Sequence, residues 1–137
     1  MELAVFVFLA VSLLHHVKAD IWTVSGYVYN PELDDFRGEA QVRVELLNRG
    51  VFTDTPVGST IATVNGYFYI QGEPSFWRLS DLQALKIFHR FNAGVCRVRI
   101  YKGDGWYGEV ASGNYSVTSG DELEDNESLC PTDLYPF

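Results

Sequence analysis

The sequence predicts an all-β protein, an antiparallel β-sandwich of seven to eight short strands. Three observations carry this expectation. Apolar and polar residues alternate over short stretches, as in Val42-Arg43-Val44-Glu45-Leu46. Turn residues recur between those stretches: Asn30-Pro31, Asn48-Arg49-Gly50, Asn65-Gly66 and Asn92-Ala93-Gly94. No segment sustains the 3.6-residue period of a long helix, which argues against a βαβ arrangement.

Residues 3–14 are an apolar run broken only by Ala and Ser, followed by His15-His16-Val17-Lys18-Ala19. Val17 and Ala19 suit the −3 and −1 positions of signal-peptidase cleavage. The run is too short to span a bilayer, so residues 1–19 are expected to be a secretory signal and not an anchor. The domain expected behind it covers 20–120, with an acidic tail at 121–137. Cleavage would remove one acid, Glu2, and one base, Lys18, so the net charge stays at −8. That balance argues against nucleic acid as a partner. The extracellular space or cell surface is the expected location.

Residues 22–29 alternate and stop at Asn30-Pro31. A polar loop follows over 32–39, and Val42, Val44 and Leu46 mark the next strand. Residues 59–64 are rich in β-branched side chains and lead into Asn65-Gly66, a pair that suits a type I′ hairpin turn, so 67–70 should run back beside them. Gly72 to Pro74 breaks that strand. Ser80 is placed to cap a helical turn over 80–85. Residues 85–91 and 95–102 then form a hairpin around a three-residue loop. A glycine-rich loop over 103–114 surrounds Trp106-Tyr107, and 115–118 is a last short strand.

Alternation sorts the hairpin residues into faces. Leu85, Ile87, His89 and Phe91 share one face of the first strand, with Lys86, Phe88 and Arg90 on the other. Cys96, Val98 and Ile100 share one face of the second, with Arg97, Arg99 and Tyr101 opposite. Matching apolar faces puts Cys96 toward the core and gathers Lys86, Arg90, Arg97 and Arg99 outside, with Lys102 at the strand end. Five basic residues thus fall within positions 86–102 of an acidic chain. They form a solvated face that resists edge pairing, an anion-binding patch, or a dock for the acidic tail. Trp106 and Tyr107 either fold back over the sandwich end or stay exposed as a partner or membrane-interface anchor.

Cys96 and Cys130 are the only cysteines. In an oxidising compartment they are expected to pair, closing a loop worth about 3–4 kcal/mol by chain entropy. Two sequons, at Asn114 and Asn126, are candidate glycosylation sites. The chemistry of catalysis is thinly represented. His89 is the only His after residue 19. Zinc needs three or four ligands, and a His base needs a nucleophile to activate. No catalytic residue, metal or cofactor is therefore expected.

The stretches "VSGYVYN", "VNGYFYIQGEP" and "LKIFHRFNAGVCRVRI" resemble, in order and spacing, the nematode transthyretin-like family. Gly26, Gly66, Phe68, Gly72, Leu85, Lys86, Ile87, His89, Cys96 and Arg97 occupy that family's places. The resemblance spans roughly residues 22–102. Two features depart from it: Phe91 stands where members usually carry Cys, and "YKGDGWYGEVASGN" replaces an Ile-Pro-rich loop. The resemblance implies a transthyretin-like (prealbumin-type) sandwich and a secreted binding or bridging protein. One member type bridges phosphatidylserine on dying cells to a phagocyte receptor. By that analogy the partner is an extracellular protein or an anionic lipid or cell-surface ligand. The binding residues would be Lys86, Arg90, Arg97, Arg99, Lys102, Trp106 and Tyr107. The alternatives are a carrier of a small apolar ligand in a transthyretin-like oligomer and, behind it, a 5-hydroxyisourate-hydrolase-type enzyme. The chain lacks that enzyme's additional His and its Tyr-Arg-Gly-Ser ending.

Overall fold

A computed structural model describes residues 20–137. The expected secretory signal at 1–19 lies outside the described residues. Eight strands form two sheets: β1 Trp22–Tyr29, β2 Arg43–Asn48, β3 Thr55–Ile61, β4 Tyr67–Gly72, β5 Gln83–His89, β6 Arg97–Lys102, β7 Gly113–Ser116 and β8 Glu122–Leu123. One sheet has the order β4-β1-β7, the other β3-β2-β5-β6-β8. All pairs are antiparallel except β1 with β7, which run parallel. The chain is an all-β sandwich.

The core lies between the sheets. Val24 and Val28 of β1 and Phe68 and Ile70 of β4 face Val44 and Leu46 of β2 and Leu85 and Ile87 of β5. In each strand these are alternate positions, so period-two patterning places one whole face inside. Gly26 is a place where side-chain size is limited by the partner strand. A Cβ there would stand 2.1 Å from the Gly113 carbonyl oxygen of β7.

Asn65-Gly66 turns the chain, but it does not build a hairpin. Gly66 N donates to Thr63 O, Gly66 has φ +89°, and Asn65 keeps a negative φ, so the turn is not type I′. The strands on either side join different sheets. The turn is a corner of the sandwich, because β3 pairs with β2 and β4 with β1. Consecutive left-handed residues do occur at Ala93 and Gly94, with φ of 58° and 75°, at the tip of the β5–β6 connection. The helical turn expected over 80–85 is absent. Gln83 already begins β5, and Ser80 Oγ donates to Arg49 O instead of capping a helix.

The acidic C-terminal segment is packed into the sandwich. Glu122–Leu123 adds an edge strand to β6. The Cys96–Cys130 disulfide holds the segment against the outer face of the five-stranded sheet, over Phe88 and Val98. The chain then returns beside residues 39–41 and inserts Tyr135 into the core. Tyr135 Oη accepts from Val42 N at 3.1 Å and donates to Ala62 O at 2.5 Å. Tyr135→Phe keeps the ring and removes both bonds, stranding a buried donor and acceptor. A loss of about 1–3 kcal/mol is expected in urea unfolding. An unchanged midpoint would mean those groups find other partners.

Candidate functional site

The β5–β6 pairing decides where the basic residues go. His89 pairs with Arg97, Ile87 with Arg99 and Leu85 with Tyr101. Directly paired residues share a face, so Arg97 and Arg99 lie on the inner side with Ile87 and His89. Lys86 pairs with Ile100 and Phe88 with Val98 on the outer side. The expected single basic face does not form, and Cys96 lies in the outer cluster with Phe88, Val98 and Cys130. Alternation within each strand is as expected; what differs is how the two strands mate. The apolar side of β6 is covered by the C-terminal segment and not by the core. A loop of three residues, 92–94, already sets His89 opposite Arg97, so loop length was the better guide.

The arginines dock the acidic segment, one of the three readings open from sequence. All three guanidinium nitrogens of Arg90 reach that segment, and Nη1 also bonds the hairpin loop. Its Nε donates to Pro131 O at 3.0 Å, and Nη2 to Glu127 O and Cys130 O at 2.9 and 3.0 Å. Its Nη1 donates to Gly94 O and to Glu127 Oε2, the latter at 2.6 Å. The Arg90 hydrogen bond, with that from Cys96 N, holds the Glu127 carboxyl below its usual range. Arg97 Nη1 donates to Asp121 O at 2.6 Å and Arg99 Nη1 to Asp121 Oδ1 at 3.3 Å. Lys86 and Lys102 make no ion pair among the described residues.

His89 is fully buried, and both ring nitrogens are engaged. Nδ1 accepts from Phe91 N at 3.3 Å, so Nε2 carries the proton and donates to Asp121 Oδ2 at 2.8 Å. No ring nitrogen is left to take a proton from a substrate. Burial holds His89 below its ordinary pKa, against the pull of Asp121. Burial alone would raise the Asp121 carboxyl. The Thr118 backbone N–H, His89 and Arg99 outweigh it and hold that carboxyl below the usual value. Both shifts have the same consequence in acid. Unfolding lets His89 take a proton that the fold refuses, so stability falls as pH drops through about 6.5, the ordinary His value. Asp121 adds a further loss as pH falls through its depressed folded pKa. The thermal midpoint is therefore expected to decline from pH 7 to pH 5, and His89→Gln to flatten that decline. A midpoint flat over this range in the parent chain would contradict the assignment.

Trp106 and Tyr107 do not fold back. They stand on a 3-10 turn, Trp106–Gly108, and Trp106 is 77% exposed. Tyr107 adopts a left-handed φ of 61°, uncommon for an aromatic residue. Two other loops meet them at the same end of the sandwich. The 49–54 loop carries Val51 and Phe52, the latter 96% exposed; the 75–82 loop carries Phe76, Trp77 and Leu79, the last two 83% and 90% exposed.

The backbones of these loops are tied together while their apolar side chains project. Asn48 Nδ2 donates to Ser80 O and Leu82 O, and Arg49 N donates to Leu82 O. Gly103 N and Val110 N donate to the main-chain and side-chain oxygens of Gln83. Gly108 rests on Leu82; a Cβ there would come within 2.4 Å of Cδ2. Arg78 pairs with Asp20 and Asp81 at 2.6 Å and lies over the Trp22 ring. Between the 49–54 and 75–82 loops lies a cleft of about 550 Å³, walled by Phe52, Trp77, Leu79 and Leu82. Of these residues the sequence singles out Trp106 and Tyr107; Phe52, Trp77 and Leu79 are marked only by large apolar residues inside turn-rich stretches, at Gly50-Val51-Phe52 and Pro74-Ser75-Phe76-Trp77.

No family model and no curated protein matches this chain. Among solved structures, it is similar to a 9R-lipoxygenase from Cyanothece PCC8801, with 17% identity and a TM-score of 0.45. That match covers 77% of this chain but only 18% of the lipoxygenase. It is also similar to an alternative pilotin from the type II secretion system of Vibrio cholerae, with 16% identity and a TM-score of 0.47. Here 72% of this chain and 95% of the pilotin are covered.

Proposed function

We propose that this chain is a secreted, non-enzymatic binding protein, a divergent transthyretin-like sandwich, that engages a lipid surface through its aromatic loop end. The observation that carries the reading is the set of large apolar side chains projecting from three mutually fastened loops. A contiguous exposed apolar patch marks an interaction site. Trp, Tyr and Phe are the side chains that partition to the membrane–water interface. Burying a Phe or Leu from water is worth about 1.5–3 kcal/mol. Three such residues supply about 4.5–9 kcal/mol before the cost of association, and a stiff frame keeps that cost low.

The basic hairpin is a weaker candidate. Arg90, Arg97 and Arg99 hold the acidic segment, and Lys86 and Lys102 are the hairpin cations whose side chains bond to nothing among the described residues. A chain of net charge −8 gains little from an anionic surface. What supports the transthyretin-like reading is the order and spacing of the sequence motifs from Gly26 to Arg97. Tryptophan emission tests the proposal. Added phosphatidylcholine vesicles are expected to shift emission to the blue, and Trp77→Ser with Trp106→Ser to abolish the shift. Unchanged emission in the parent chain would contradict membrane engagement.

A further inference from the structure

The outer face of the three-stranded sheet is aromatic and uncharged. Val24, Val28, Phe68 and Ile70 point into the core, so their strand neighbours Tyr27, Tyr29, Tyr67 and Tyr69 point outward, each about half exposed. Thr23, Ser25 and Gln71 fill the remaining outward positions of β1 and β4. Tyr27 and Tyr67 are register partners with ring centroids 5.5 Å apart. On β7, Asn114 is the register partner of Tyr27. It is exposed and begins the sequon Asn114-Tyr115-Ser116.

We propose that Asn114 carries an N-linked glycan whose core lies across the Tyr27–Tyr67 ring pair. The inference shares with the functional reading only the premise of secretion; it is independent of the loop end. A sugar ring offers a face of C–H groups edged by hydroxyls. A tyrosine offers an aromatic face and a phenolic hydroxyl, which match both parts. The glycan core is neutral, and so is every outward residue of this face, on a chain of net charge −8. Attachment one strand away makes the contact intramolecular, so stacking too weak to capture a free sugar is enough. The second sequon provides a contrast. Asn126 Oδ1 accepts from Ser128 N at 3.2 Å and Ser128 Oγ at 2.6 Å, in a turn of the acidic segment with no such ring pair beside it. The Asn114 glycan would cover the aromatic sheet face and leave the loop end as the exposed aromatic surface.

The test is secretion of the full chain from a eukaryotic host, alongside the unglycosylated chain from a bacterial periplasm. Intact mass reports occupancy, and Asn114→Gln, Tyr27→Ser and the double variant are compared by thermal midpoint. Asn114 is expected to be occupied. In the glycosylated protein, Asn114→Gln should lower Tm by about 3 °C, the scale of one modest contact in a domain this size. In the bacterial protein it should leave Tm unchanged, and with Tyr27→Ser in place the glycan-dependent difference should vanish. A secreted protein with Asn114 unoccupied overturns the site. An occupied Asn114 whose removal leaves Tm unchanged, or whose effect survives Tyr27→Ser, overturns the stacking. Retention in the cell with residues 1–19 still attached contradicts secretion itself, a separate failure.

Discussion

Replacing Cys96 and Cys130 by alanine is expected to lower stability by about 3–4 kcal/mol. The bond joins residues 34 apart in sequence, and the chain-entropy relation gives this magnitude for such a loop. More than entropy depends on it. Cys130 brings the segment over Phe88 and Val98, and Arg90 reaches Glu127, Cys130 and Pro131 only while that segment is held. The double variant should therefore unfold at lower urea concentration and show faster amide exchange over 121–131 before global unfolding. Because Tyr135 is separately anchored to Val42 and Ala62, the last residues should stay protected longer. A midpoint equal to the parent's would show that docking contacts alone hold the segment.

Much of the sandwich was legible because it depends on local patterning. The first strand begins and ends at residues 22 and 29 as the alternation indicates, and a pair of cysteines in a chain with no others has one intramolecular solution. Contacts that depend on distant chain were not legible. The parallel pairing of β1 with β7 joins residues nearly ninety positions apart and leaves no periodic trace. Asn65-Gly66 announces a turn, but whether the flanking strands join one sheet or two depends on their other neighbours. The run from Asp121 to Glu127 reads as a solvated tail because its charges outnumber its apolar residues. Its partners, Arg90, Arg97 and Arg99, were visible; their meeting was not. The ending Asp133-Leu134-Tyr135-Pro136-Phe137 gives no local sign that Tyr135 enters the core. For the loop end, the sequence displayed every aromatic residue, but only the fold brings positions 52, 77 and 106 to one end.

Phe52→Ser, Trp77→Ser and Trp106→Ser combined are expected to weaken vesicle binding by more than about a hundredfold. Each removed ring forfeits about 1.5–3 kcal/mol of transfer free energy, and about 1.4 kcal/mol is a factor of ten. The folded state should be little affected, because these side chains project into solvent and the bonds that fasten the loops come from Asn48, Arg49, Ser80 and Gln83. An unchanged Tm beside lost binding separates recognition from folding.

Co-sedimentation with phosphatidylcholine and phosphatidylserine vesicles at low and high salt distinguishes the aromatic loop end from the basic hairpin. Three proteins are compared: the parent, the triple loop variant, and K86E with K102E, which reverses the charge of the two hairpin lysines without touching the arginines that hold the acidic segment. The parent and the lysine variant are expected to bind phosphatidylcholine equally at both salt concentrations, and the loop variant not to bind. Binding confined to phosphatidylserine, lost at high salt and in the lysine variant but kept in the loop variant, would contradict engagement through the loop end and return recognition to the basic hairpin.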